Sequence, residues 1–137
     1  SGHIFFMHRW YGFDDALYSA CRLLEIMSHT ESSLDEIFAD IPNSLNTPEI
    51  KIPVSEAKKF DLMKRFVAQA KFEGATCIRI DGLRAEFSHG WGLIRASNTT
   101  PCLVARFEAD SEGDLANIQA QFKAALLALD STLNIPF

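Results

Sequence analysis

The chain is 137 residues long, 47% hydrophobic and 23% charged, and its 13 basic against 18 acidic side chains leave a formal net charge of −5. That length allows one sizeable core and disfavours two independent ones. The acidic balance repels nucleic acid and anionic membrane surfaces at long range, so any phosphate has to be caught locally. No apolar run approaches the roughly 20 residues of a membrane span, and the start lacks a basic segment followed by a hydrophobic signal core. A soluble, cytoplasmic chain is expected. Cys21, Cys77 and Cys102 are odd in number, far apart and outside any C-x-x-C pair, which argues against a disulfide framework or a zinc site. The opening Ser1-Gly2-His3 lacks a methionine, the expectation being a processed chain or a piece of a longer one.

Residues 3–7 form a short apolar run that reads as a buried strand stub. From Asp14 onward Leu17, Ala20, Cys21, Leu24 and Met27 recur at helical spacing, with Asp14 and Asp15 at the end that favours acid. Ser33-Leu34-Asp35-Glu36 has the spacing of a capping box, predicting a second helix through Ile37, Phe38 and Ile41 that Pro42 ends. Residues 42–48 carry two prolines and several small polar residues, the composition of a connector or hinge. A boundary is placed there, between residues 1–41 and 49–137.

Ile50, Ile52 and Val54 alternate as a strand, and Pro53 marks it as an edge or a strand end. Ser55 is placed to cap a helix running to about Phe72, with Phe60, Met63, Phe66, Val67 and Ala70 inward and Lys58, Asp61, Lys64, Arg65 and Lys71 outward. Gly74 follows its end. Ile78 and Ile80, the dipeptide Asp81-Gly82, then Leu83, Ala85 and Phe87 specify a hairpin. A further turn at His89-Gly90 leads into a strand over 91–95, and Cys102 to Glu108 forms the next, with Leu103, Ala105 and Phe107 on one face. The last helix opens at Ser111 and buries Leu115, Ile118, Phe122, Ala125 and Leu129. The order after the hinge is β-α-β-β-β-β-α with short connections, which predicts an α+β fold: a two-layer arrangement of antiparallel sheet and two helices.

Between two apolar strands lies the polar turn Arg95-Ala96-Ser97-Asn98-Thr99-Thr100-Pro101. Its chemistry suits a phosphate. An arginine presents a planar fork of donors, three hydroxyls add more, and Asn98 tolerates the left-handed conformation that turns successive backbone N–H groups inward as a nest. An ordinary strand-connecting turn has the same composition, so composition alone leaves both readings open and the plain turn is the simpler one.

This turn, preceded by Gly90-Trp91-Gly92-Leu93 and followed by Cys102-Leu103-Val104-Ala105-Arg106-Phe107-Glu108-Ala109-Asp110, closely resembles the C-terminal phosphate-binding loop of the α-D-phosphohexomutases, and within them the bacterial phosphomannomutase/phosphoglucomutase branch. The start, Ser1-Gly2-His3-Ile4-Phe5-Phe6 and then residues 9–20, resembles the third-domain sugar loop, whose family pattern is G-E-x-S-G-H. Asn46-Thr47-Pro48-Glu49-Ile50 and the ending Ile135-Pro136-Phe137 also agree, so the resemblance spans the whole chain. The glutamate of the sugar pattern would lie just upstream of Ser1, which makes Ser1 the first residue of a truncated motif; a cloning remnant is the alternative origin of these three residues.

The resemblance implies residues 1–41 as a helical remnant of the third, sugar-binding domain, 42–48 as a hinge, and 49–137 as the fourth domain with a fold similar to the TATA-binding protein. It implies that Arg95, Ser97, Asn98 and Thr99 grip the non-transferring phosphate, and that Ser1 and His3 contact the sugar. Asn98 favours this branch over phosphoglucosamine mutases, which tend to have glycine there. The implied parent is an isomerase interconverting hexose 1-phosphate and 6-phosphate, of mannose or glucose, with glucose 1,6-bisphosphate as intermediate and Mg2+ in a D-G-D-G-D loop. Neither that loop nor the phosphoserine loop occurs in these residues, so the stretch by itself is expected to bind without catalysing. Its expected partners are a phosphosugar and the parent's N-terminal domains, with no nucleic acid and no membrane. The parent is expected to be a monomer.

Other residues read more plainly. His8, His29 and His89 are expected in solvated positions, the Lys58/Lys64/Lys71 stripe is a solvated face, and Trp10, Tyr11 and Phe13 are expected to pack against a parent domain more than to stack on sugar. Ile4, Phe5, Phe6 and the 14–29 helix are expected to expose apolar area, with self-association as the consequence. The alternative function is a free-standing α+β module that binds a small anion or a protein without catalysis. An RNA-binding sheet is opposed by the acidic charge and the lack of clustered exposed aromatics.

Overall fold

Strands joined by only a few residues lie antiparallel to their neighbours, and the later part of this chain holds four such strands in succession. The computed structural model describes residues 2–41 and 44–137. It comprises two units, Ser1–Asn43 and Ser44–Phe137.

The first unit carries α1 (Ala16–Ser28) and α2 (Leu34–Phe38). The Asp15 side chain caps α1 by accepting from the Tyr18 N–H at 3.0 Å, and Ser33 with Glu36 completes the predicted capping box of α2. That helix stops at Phe38, short of Ile41, because the chain tightens: the Ala39 N–H bonds to the Glu36 carbonyl and the Ile41 N–H to that of Phe38. Pro42 lies outside the described residues. The run 3–7 is not a buried strand. It has a single antiparallel bridge, Phe5 to Asp14, and Ile4, Phe5 and Met7 are exposed, since one bridge gives the segment no partner strand to pack with. Of the apolar groups expected on the surface, Phe6 departs. It is half-buried, edge-on to the Tyr18 ring at 5.4 Å with the Arg22 guanidinium 5.2 Å from its centre. Helix α1 buries none of its residues, and Leu17 is 81% exposed.

The second unit runs β1 (Leu45–Asn46), β2 (Ile50–Pro53), α3 (Glu56–Gln69), β3 (Thr76–Ile78), β4 (Leu83–Phe87), β5 (Gly90–Ala96), β6 (Cys102–Ala109) and α4 (Glu112–Leu129). It is the expected mixed fold of antiparallel sheet and helices. The sheet order is β3-β4-β5-β6, with β1 and β2 both on the far side of β6 and every pairing antiparallel. The connector composition of 44–48 concealed β1. Thr47 zips this stretch to the sheet: its N–H donates to the Phe107 carbonyl at 2.9 Å and its hydroxyl oxygen accepts from the Phe107 N–H at 3.1 Å. Pro53 stands at the rim, opposite Cys102, where its missing N–H is tolerated.

Both α3 and α4 pack against β5 and β6 and against each other, leaving the opposite sheet face open. Phe122 of α4 is the centre of the core, stacked on Phe72 at 4.3 Å and edge-on to Phe107 at 5.4 Å. Gly92 makes this possible: a Cβ there would fall 2.5 Å from the Phe122 ring. On α4, Ile118, Phe122 and Leu126 are buried, while Leu115, Ala125 and Leu129 are only partly so. The buried face of α3 is Lys59, Leu62, Met63 and Phe66. It is rotated from the predicted one, leaving Phe60 54% exposed. The helix also ends earlier than Phe72, with Ala70 in extended conformation, and Ser55 precedes it without a side-chain cap bond.

Truncating Phe122 to alanine is expected to lower unfolding free energy by about 3–5 kcal/mol, as for other buried phenylalanines. Phe60→Ala on the same layer is expected to change it by less than about 1 kcal/mol. Chemical denaturation of the two variants checks the rotated helix face; comparable losses would contradict it.

Candidate functional site

The site predicted at 95–100 is shaped first by strand alternation. Along β5, Gly92, Ile94 and Ala96 are buried toward the helices, so Trp91, Leu93 and Arg95 stand on the open face, Arg95 opposite Val104 of β6. The tip of the β3–β4 hairpin backs this strand. Gly82 has φ of +78°, and a Cβ on it would meet the Ile94 carbonyl oxygen at 2.2 Å and Arg95 Cβ at 2.7 Å, so only glycine lets the hairpin close behind the arginine.

Arg95 is distinguished by what it lacks. Arg9 and Arg22 pair with Glu25, Arg84 pairs with Glu86, and Arg65, Arg79 and Arg106 donate to the carbonyls of Leu129, Val67 and Thr47. Among the described residues Arg95 has no hydrogen-bond or ion-pair partner. Its half-buried position holds the stem while its fork of donors stays uncommitted.

Beyond Ala96 the turn is stapled from within. Ser97 is 7% exposed, and its Oγ accepts the N–H groups of Thr99 at 3.3 Å and Thr100 at 3.1 Å. With both lone pairs used, the Ser97 proton goes to Thr100 Oγ1 at 2.8 Å, whose own proton faces Cys102 Sγ at 3.1 Å. The Ser97 N–H closes the turn on the Cys102 carbonyl at 3.0 Å. Asn98, Thr99 and Thr100 are exposed. Two expectations change here. Asn98 does not adopt a positive φ, and no inward nest of N–H groups forms, because Ser97 has taken those of Thr99 and Thr100. Ser97 thus shapes the turn, and among the described residues the side chains of Arg95, Asn98 and Thr99 have no hydrogen-bond partner.

Lys59, unnoticed in the sequence reading, lies beneath this turn. It is fully buried, and its Nζ donates to the Thr100 carbonyl at 3.0 Å and to the Glu56 carboxylate at 2.8 Å. The signal that would have found it is spacing: 59, 62, 63 and 66 stand at i, i+3, i+4 and i+7, the buried period of α3. Phe60 is more hydrophobic and drew the prediction one position along. A groove of about 310 Å³ adjoins the turn, lined in part by Phe60, Lys64, Arg79, Gly82, Ala96 and Asn98.

In the first unit Ser1 lies outside the described residues. His3 is exposed, with Nδ1 2.5 Å from an Asp14 carboxylate oxygen. The loop from His3 to Asp14 turns at Arg9, whose φ is +59°, and at Gly12, whose N–H bonds to the Phe6 carbonyl. Arg9 is committed to structure, gripping both oxygens of Glu25 at 2.7 and 2.6 Å. Trp10 stacks on Tyr18 within the unit, ring centres 4.3 Å apart, while Tyr11 is exposed and parallel to Phe13 at 6.0 Å. His89 sits in an exposed turn 3.4 Å from Asp110. Among the described residues no three His, Cys, Asp or Glu side chains converge to hold a metal ion, and no helix is long and apolar enough to cross a membrane.

Comparison with known proteins gives two family matches. Residues 49–125 match the phosphoglucomutase/phosphomannomutase C-terminal domain, and residues 1–45 match the alpha/beta/alpha domain III of the same family. The chain is 50% identical over all 137 residues to a phosphomannomutase/phosphoglucomutase of Pseudomonas putida, covering 30% of that protein. It is 52% identical over 128 residues, 92% of the chain, to a phosphoglucomutase of Neisseria meningitidis, covering 28% of it. A crystal structure of a phosphoglucomutase/phosphomannomutase family protein from Burkholderia thailandensis superposes with a TM-score of 0.88 at 45% identity, over 99% of this chain and 28% of the other. The chain thus spans under a third of the length of these relatives.

The grip of Arg9 has a pH signature. Its hydrogen bonds first, and its charge with that of Arg22, hold the Glu25 carboxyl below the ordinary carboxylate range. A depressed folded value contributes stability that is fully present above the unfolded value and is lost as pH falls through the folded one. In an NMR pH titration the Glu25 carboxyl is expected to have its midpoint below about 4.3, the unperturbed value, and Arg9→Ala to move it up toward that value. An unmoved midpoint would contradict the pairing.

Proposed function

The chain belongs to the phosphoglucomutase/phosphomannomutase family and corresponds to the C-terminal part of such isomerases, and from that premise we propose that its turn at 95–100 grips the non-transferring phosphate of a hexose phosphate. The observation that carries this reading is Arg95, the one arginine without a partner among the described residues, at the start of a turn whose Asn98 and Thr99 are exposed. Arg95 supplies the charge and the bidentate fork matched to two phosphate oxygens. Asn98 and Thr99 add neutral donors, and Ser97 fixes the backbone of the turn through the Thr99 and Thr100 N–H groups it accepts.

In the whole protein, proposed to interconvert hexose 1-phosphate and 6-phosphate through a bisphosphate, such a grip supplies binding free energy remote from the bond that breaks. Binding far from the reacting centre orients the sugar and accelerates transfer. The division of residues 1–41, 42–48 and 49–137 into a sugar-domain remnant, hinge and phosphate domain belongs to the same proposal, with the later part of 42–48, Leu45 to Thr47, tied to the sheet of the phosphate domain and with Ser1 and His3 contacting the sugar. The N-terminal domains of the relatives are the proposed partners. Magnesium, implied for the whole enzyme, finds no ligand cluster among the described residues, so no step here runs through it.

Calorimetric titration of the chain with glucose 1-phosphate is expected to show binding that Arg95→Ala weakens by about tenfold to a hundredfold, the range for hydrogen bonds to a charged group. Equal affinity in that variant would overturn the assignment.

A further inference from the structure

Resting on the reading of 95–100 as a phosphate site, we propose that Lys59 is a positioning residue of that site, fixing the turn from below and keeping a positive charge under it. Three features converge. First, the ammonium is spent on the turn: it donates to the Thr100 carbonyl, which already accepts the Cys102 N–H at 2.9 Å, so the residue that ends the phosphate turn is held from α3 as well as from β6. The neighbouring Pro101 carbonyl accepts the Val54 N–H at 3.1 Å, and the base of the turn is thereby tied to the segment leading into α3.

Second, a carbonyl needs no charge to satisfy it. A neutral donor would hold Thr100 without the desolvation penalty of several kcal/mol that a buried ammonium carries. A fully buried lysine is costly as a mere staple and well suited to a place where an anion is to be bound. Third, its counter-ion is unequally placed. The Lys59 side chain is 1% exposed, whereas that of Glu56 is 66% exposed. Water screens the carboxylate, while the ammonium under the turn has little water to screen it, so the charges do not cancel on the side of the turn. In a chain of net charge −5, this local field adds to that of Arg95.

The test uses the full chain, glucose 1-phosphate as the probe, and temperatures well below each variant's melting midpoint. Lys59→Met keeps the length of the side chain and removes the ammonium. Its affinity is expected to fall about tenfold, the weight of one hydrogen bond to a charged group, beside a larger loss in Arg95→Ala. A purely structural lysine would lower the melting midpoint and leave the affinity of the folded chain alone, so unchanged affinity in Lys59→Met with binding lost in Arg95→Ala overturns the role of Lys59 only. Unchanged affinity in Arg95→Ala overturns the phosphate reading and this inference with it. Should Lys59→Met fail to fold, the wild-type side-chain ammonium signal decides. Observed by proton–nitrogen NMR, it is expected to shift in step with the Arg95 guanidinium as glucose 1-phosphate is added, and a signal that stays put at saturation overturns the proposal.

Discussion

Register in the ladder between β5 and β6 governs where each group of the second unit falls. Seven consecutive partner pairs, from Gly90 with Ala109 to Ala96 with Leu103, join these strands. A slip of one residue would turn Arg95 toward Phe122 and bring Ile94 to the open face, because alternate side chains point to opposite sides of a sheet. The register is held from both directions. Gly92 admits the Phe122 ring on the helix side, and the staple of Ser97, Thr100 and Cys102 closes the turn that joins the two strands. The packing of the core and the presentation of the arginine are consequences of the same ladder.

Electrostatics act at short range here. A chain with a surplus of acid repels phosphate at a distance, so attraction has to arise where water is partly excluded and the carboxylates are far or screened. The turn at 95–100 has that character. Arg95 is half-buried, Lys59 is fully so, and Glu56 faces water. The first unit shows the contrasting use of charge. Its arginines pair with Glu25, and Arg22 also lies over the ring of Phe6 and reaches His8 and Tyr18, so their charge is engaged in holding a loop in place.

Much of this was legible from periodicity and punctuation. The turns around Asp81-Gly82 and His89-Gly90, the alternation of Leu103, Ala105 and Phe107, the helix start at Asp15 and the caps at Ser33 and Ser111 are local rules, and the structure follows them. Ile80, read as alternating with Ile78, departs: β3 ends at Ile78 and Ile80 lies in the connecting loop, 93% exposed. What escaped depended on tertiary partners. Leu45 and Asn46 look like linker, and they pair only because β6 offers an unused edge. Phe60 outranked Lys59 in hydrophobicity, yet a lysine is kept inside when a carboxylate and a carbonyl satisfy its ammonium. Asn98 had the side chain for a left-handed turn, but the competing acceptor, Ser97 Oγ, claimed the N–H groups that a nest would have turned inward. The residue types around the turn at 95–100 were readable. The division of labour among them was not, since it depends on which hydrogen bonds are already taken.

That division has a consequence for what the turn recognises. A nest of backbone N–H groups is rigid and suits an anion in one position. Here the backbone donors of Thr99 and Thr100 are committed internally, and the groups left without an internal partner among the described residues are an arginine, an amide and a hydroxyl on side chains able to change rotamer. The base of the turn is fixed and its reach is adjustable. On the proposed function, a bisphosphate intermediate must offer first one end and then the other, so the phosphate held at this site is carried alternately on different carbons of the sugar. A stapled turn with mobile side-chain donors meets that need better than a rigid nest, because the guanidinium can follow the phosphate while the anchored backbone keeps the ordering cost of the turn out of each binding event.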